Sequence, residues 1–154
     1  MLWHIIATLA LAIWFGGGIV AGFIAPQAAF GVMEDRQLAG ALAGAVLGRY
    51  SVLALICGAG YCAAWLGRLG SGRPFPRPAL ILTGIAILVV AYNHFMLTPE
   101  INLLRETIRS SGETPELSGQ FGRLHGTSVI LFGIQWVMAG SAFVVHLYRT
   151  FARH

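Results

Sequence analysis

Four histidines, His4, His94, His125 and His146, lie inside or at the ends of otherwise apolar stretches. Imidazole in such a setting ligates a transition metal or haem iron, relays a proton near neutral pH, or bonds one helix to another. Ligation requires two of these rings to face each other. Arg49 interrupts a long apolar stretch, and a guanidinium there must pair or reach the polar boundary. Asn93, beside His94, is followed by Glu100 and Arg105, making this corner the densest polar constellation of the chain. Amide, guanidinium and imidazole groups can orient a bound solute, and the same groups cap helices and bond neighbouring helices. No nucleophile–base arrangement, phosphate loop or zinc-protease motif accompanies them, so no enzyme assignment is supported.

The elements that must position these groups are set by composition. Among 154 residues only 10% are charged and 56% are hydrophobic. Residues 1–33, 37–67, 78–99 and 124–148 contain a single formal charge, Arg49. Each run can supply the roughly 20 apolar residues that cross a bilayer. A soluble domain of this size would need many more charges to cover its surface. The fold class expected is therefore an all-α integral membrane protein: one domain, 1–154, of four transmembrane helices in a compact bundle, with a short amphipathic helix after the third span. The ten basic residues are all arginines dispersed between apolar segments, which speaks against nucleic acid as a partner. Cys57 and Cys62 have no CxxC spacing and read as buried thiols. The first run lacks the basic start of a leader peptide and is expected to remain as a helix.

The spans are expected at about 3–30, 38–67, 79–97 and 124–147. Pro26 is placed to kink the first. Gly40, Gly44 and Gly48 recur at four-residue intervals on one face of the second, a pattern suited to close helix packing. Gly126, Gly133 and Gly140, seven apart, predict a second packing seam on the last span. Thr98-Pro99-Glu100 reads as a fresh helix start with Thr98 as the cap, opening a short interfacial helix at about 99–109. In that segment Ile101, Leu104 and Ile108 fall opposite Asn102, Arg105 and Arg109. Gln135, deep in the last span, is expected to pair with another helix.

With four crossings both termini share a side. That side carries Arg68, Arg73, Arg77, Arg149 and Arg153, against Arg36, Arg105, Arg109 and Arg123 opposite, which places both termini in the cytoplasm. The same threading puts His4 and His146 near the terminal-side interface and His94 and His125 near the other. Each pair has two readings: haem b or copper ligands, or interfacial and interhelical bonding groups. Arg49 also has two readings. Either residues 38–47 project beyond the lipid and Arg49 snorkels to the interface, or it is a cation inside the bundle.

The chain resembles an uncharacterised bacterial membrane family related to the transmembrane-protein-205-like domain. The resemblance is carried by Trp14-Phe15-Gly16, Ala25-Pro26-x-x-x-Phe30, Ala39-Gly40-x-x-x-Gly44 leading to Gly48-Arg49-Tyr50, and then Tyr92-Asn93, Pro99, Asn102-Leu103 and Arg105. It ends in Phe121-Gly122-Arg123-Leu124-His125-Gly126-x-Ser128. It implies a compact four-helix membrane domain and singles out Arg49, Asn93, Arg105 and His125 as its polar positions. It does not extend to His4, His94 or His146. The function expected is a small inner-membrane protein that binds or helps translocate a small solute, in contact with lipids and with a homo-oligomer or other membrane proteins as partners. The alternatives are a b-type haem or copper protein, using His94 and His125 with His4 and His146 as a second pair, and an accessory subunit of a membrane complex.

Overall fold

A computed structural model describes residues 2–68 and 76–151, and every element among them is helical. Helix α1 (Leu2–Ile19) passes through a π-helical turn (Val20–Ile24) into α2 (Ala25–Val32). Helix α3 (Arg36–Leu66) returns, followed by α4 (Arg77–Tyr92), a second π-turn (Asn93–Leu97), α5 (Thr98–Ser111) and α6 (Pro115–Phe151). Four continuous helical stretches, Leu2–Val32, Arg36–Leu66, Arg77–Ser111 and Pro115–Thr150, are long and apolar enough to cross a membrane. Arg73 and Arg153, used above to orient the chain, lie outside the described residues.

Local sequence explains where these helices begin and end. Asp35 caps α3, its Oδ1 accepting from the Gln37 and Leu38 amides at 2.8 and 3.1 Å. Thr114 Oγ1 accepts from the Leu117 amide at 3.3 Å just ahead of Pro115, whose missing N–H costs nothing in a first turn. Gly112, at φ 87°, ends α5 in a conformation that a side chain would strain.

The π-turns share one cause. Each ends two residues before a proline, Pro26 or Pro99. A proline inside a helix loses one hydrogen bond, and its ring collides with the carbonyl four residues back. Widening the turn just ahead removes that collision while the backbone stays bonded: the Ala25 amide donates to Val20 O and the Thr98 amide to Asn93 O. The expected break at Thr98 is therefore absent. The Thr98 hydroxyl donates to Asn93 O at 2.9 Å within a continuous helix instead of capping a new one. A true break here would have left bare amides and carbonyls at the membrane. The amphipathic segment is α5, carried as an extension of α4.

In the half of the bundle nearer the termini the helices close a ring: α1 packs on α3, α3 on α4, α4 on α6 and α6 back on α1. Leu11, Trp14 and Tyr61 are fully buried at its centre, and Ala54, Ala64, Ala86 and Ala139 let backbones approach. Side-chain hydrogen bonds cross it. Trp14 Nε1 donates to Gln135 Oε1 at 2.8 Å, Tyr50 Oη to Trp14 O at 2.9 Å, and Trp136 Nε1 to Phe15 O at 3.0 Å. Gln135 thus joins α6 to α1.

Aromatic rings fill the places where glycines lack side chains. A Cβ at Gly18 would lie 2.5 Å from Trp136 Cδ1, one at Gly140 would lie 2.7 Å from the Phe15 ring, and one at Gly22 would overlap Phe132. Gly126 and Gly133 behave otherwise: a Cβ at either would meet no heavy atom within 4 Å. The predicted seven-residue seam reduces to Gly140. On the outside, Ile56, Leu88, Val137 and Val144 are among many exposed large apolar residues, the surface a bilayer covers.

Beyond the π-turns the ring opens. There α2 packs on α3 and α5 on α6, while the two pairs touch each other only sparsely.

Candidate ligand cavity between the diverging hairpins

The opening is a cavity of about 690 Å³, within the roughly 300–1,000 Å³ that small-molecule sites occupy. Gly40, Gly44, Gly48, Leu47 and Ser51 of α3 form one wall, and Gly22, Pro26 and Phe30 another. Ile101, Asn102, Arg105 and Ile108 of α5 face them, with Phe121, His125, Ser128, Val129 and Phe132 of α6 alongside. Asp35, Arg36, Arg109 and Glu113 also line it, next to the interhelical turns.

The glycine stripe on α3 does not pack a helix. A Cβ at Gly48 would meet nothing within 4 Å, and one at Gly40 only Phe30, at 3.7 Å. At Gly44 it would lie 3.2 Å from Arg105 Nη1 and 3.5 Å from Nη2, so the guanidinium lies against the glycine. The spacing is that of a packing motif, but the divergence at the π-turns has carried the partner helix away from it.

Arg105 is the centre of the site. Its Nη1 donates to Asn102 Oδ1 at 3.3 Å, three residues earlier on α5. Its Cζ stands 5.8 Å from the centre of the Phe121 ring, within cation–π range. Phe121 stacks on His125, one turn on, with ring centres 5.6 Å apart and planes inclined by 6°. Neither Asp35 nor Glu113 makes an ion pair with Arg105: Asp35 caps α3, and Glu113 Oε1 accepts from Ser118 Oγ at 2.7 Å. The guanidinium is thus held by an amide, a ring and a glycine, leaving its charge directed at the cavity.

Asn93 also lines the cavity, as part of a clasp. Its Nδ2 donates to Ser128 O at 3.1 Å while Ser128 Oγ donates to Asn93 Oδ1 at 2.7 Å, tying the second π-turn to α6.

The remaining polar residues singled out by sequence lie elsewhere. Arg49 is exposed and does not line the cavity. It follows Gly48, and about 100° of helical rotation per residue turns it off the cavity wall. His94, likewise one residue past Asn93, does not line the cavity that His125 lines, and its ring meets Phe95 edge-on. His4 and His146 do come together at the opposite end of the bundle, with ring centres 5.7 Å apart and planes inclined by 52°. The Tyr61 hydroxyl lies 3.4 Å from His146 Nδ1, and Arg68 is buried at the same end. Among the described residues no three His, Cys, Asp or Glu side chains form a group able to hold a metal ion. Cys57 and Cys62 are free thiols.

Sequence reading did not find Gly44 as a seat for Arg105, nor Phe121 and Asn102 as its supports. Two signals were present: Asn102 and Arg105 stand three apart, and Phe121 and His125 four apart, both spacings that place side chains together on a helix.

A family described as a domain of unknown function, DUF4149, matches residues 9–110, about two thirds of the chain. The chain belongs to this family, consistent with an uncharacterised membrane domain related to transmembrane-protein-205-like proteins. The matched segment contains the glycine wall, Asn93 and Arg105, and stops before Phe121, His125 and Ser128. No curated protein and no solved structure matches the chain.

Proposed function

We propose that this DUF4149 membrane protein binds a small solute in the cavity between its diverging hairpins and helps it across or out of the membrane. The supporting observation is Arg105, seated on Gly44 and under Phe121 with no carboxylate partner among the described residues, inside a cavity of small-ligand size. Asn93 and Ser128 hold the wall in place, and His125 braces Phe121. Arg49 marks a membrane boundary in this reading. The segments 50–67, 78–99 and 124–148, each bounded by charged residues, are about 27–37 Å long as helices, close to the hydrocarbon thickness. Arg49, Glu100 and Arg123 then share one interface and Arg68, Arg77 and Arg149 the other, with both termini in the cytoplasm of a bacterial inner membrane and the cavity on the outer side.

Screening soluble metabolites by thermal shift against the purified protein and its Gly48→Leu variant tests this. A Cβ there meets no heavy atom within 4 Å, so a leucine extends into open cavity space and stabilisation by a bound solute should vanish in the variant. Equal shifts in both proteins would sink the assignment of the cavity.

The approach of His4 and His146 favours a second reading, haem or copper ligation at the terminal side. A haem or copper signal in the purified protein that disappears in His146→Ala would support it. A colourless, copper-free, folded protein after growth with both supplied would count against it.

A further inference from the structure

Building on the solute-binding reading, we infer that the ligand is an amphipathic anion: a carboxylate or phosphate head on an apolar chain, held head toward Arg105 and chain toward the bundle centre. The cavity is polarised along the helix axes. Asp35, Arg36, Arg105, Arg109 and Glu113 lie at the end nearer the interhelical turns. Toward the bundle centre the lining loses its charges and becomes Gly22, Leu47, Val129 and Phe132 with the neutral Ser51, Asn93 and Ser128, and the Phe132 ring meets Tyr50 edge-on. A wholly polar solute would find its inner end among apolar groups and polar ones already bonded within the wall, Asn93 with Ser128 and Ser51 with Leu47 O, and a wholly apolar one would leave the guanidinium uncompensated.

The sign of the head follows from charge and geometry. Three arginines face two carboxylates in the lining, and the carboxylates already accept hydrogen bonds from a helix start and from Ser118. The planar fork of Arg105 is buttressed on one side by Phe121 and lies against Gly44, an arrangement that presents two donors to a carboxylate or phosphate. The Gly44 contact also favours glycine: a Cβ at position 44 would stand 3.2 Å from Nη1 and press the guanidinium to shift by a few tenths of an ångström.

The test is calorimetric titration of the full chain in phosphatidylcholine nanodiscs with dodecyl phosphate, inorganic phosphate, dodecyl maltoside and dodecyltrimethylammonium. Dodecyl phosphate should bind saturably with one site, at least tenfold more tightly than the other three. Arg105→Gln should weaken it at least tenfold, with Arg105→Lys recovering part of the loss, and Gly48→Leu should abolish it while the protein stays folded. Inorganic phosphate binding as tightly as dodecyl phosphate would remove the apolar chain from the inference. Maltoside or ammonium binding as tightly, with Arg105→Gln indifferent and Gly48→Leu still blocking, would overturn the anionic head yet leave the cavity as the site. Dodecyl phosphate binding unchanged in Gly48→Leu would overturn the cavity itself.

Discussion

Glycine has opposite uses in the two halves of this bundle. In the closed half Gly18 and Gly140 are filled by Trp136 and Phe15, and at the first π-turn, on the boundary, Gly22 is filled by Phe132. In the open half Gly48 faces free space, Gly40 meets only Phe30 at ordinary contact distance, and Gly44 holds a guanidinium. The spacing of the second group is the better packing motif on paper, yet the first group does the packing. The difference lies in the partner rather than in the stripe. Below the π-turns each helix has a neighbour on both sides around the ring; above them the hairpins part. A missing side chain gives tight contact where a partner remains and volume where it has left.

That contrast makes substitutions unequal in a predictable order. Trp14→Ala, which removes a fully buried indole and its bond to Gln135, should destabilise the protein most, by about 3–5 kcal/mol, read by unfolding in mild detergent. Gly22→Leu should follow at about 1–3 kcal/mol, because Phe132 already occupies the space. Asn93→Ala should cost about 1 kcal/mol by opening the clasp to Ser128, within the range measured for hydrogen bonds between membrane helices. Gly48→Leu and Gly133→Ala should each change stability by less than about 0.5 kcal/mol. A Gly48→Leu protein as unstable as Gly22→Leu would mean that the open half is packed after all, and the contrast would be lost.

Much of this arrangement was legible in the chain. Uncharged length gives the four helices, and Pro26 and Pro99 mark where two of them deviate. Gln135 was recognisable as an interhelical partner because an amide that deep must bond to something. Other features were hidden because they depend on rotation and divergence that no local pattern encodes. Gly48 and Arg49 are adjacent in sequence, but one lines the cavity and the other is exposed outside it. Asn93 lines the cavity and the half-buried His94 beside it does not. Thr98 has every mark of a helix cap, and its hydroxyl serves the carbonyl of Asn93 because the wide turn keeps the helix continuous.

Cysteine accessibility tests the open half most directly. With Cys57 and Cys62 replaced by alanine, Ser51→Cys would place a thiol on the cavity wall and Ala54→Cys a thiol fully buried, three residues further along the same helix. A small membrane-impermeant thiol reagent added from the side opposite the termini should modify position 51 and spare 54, and dodecyl phosphate should protect 51 in a manner lost with Arg105→Gln. Equal silence at both positions, or modification of 51 that no anion slows, would contradict an accessible, ligand-holding cavity between the hairpins.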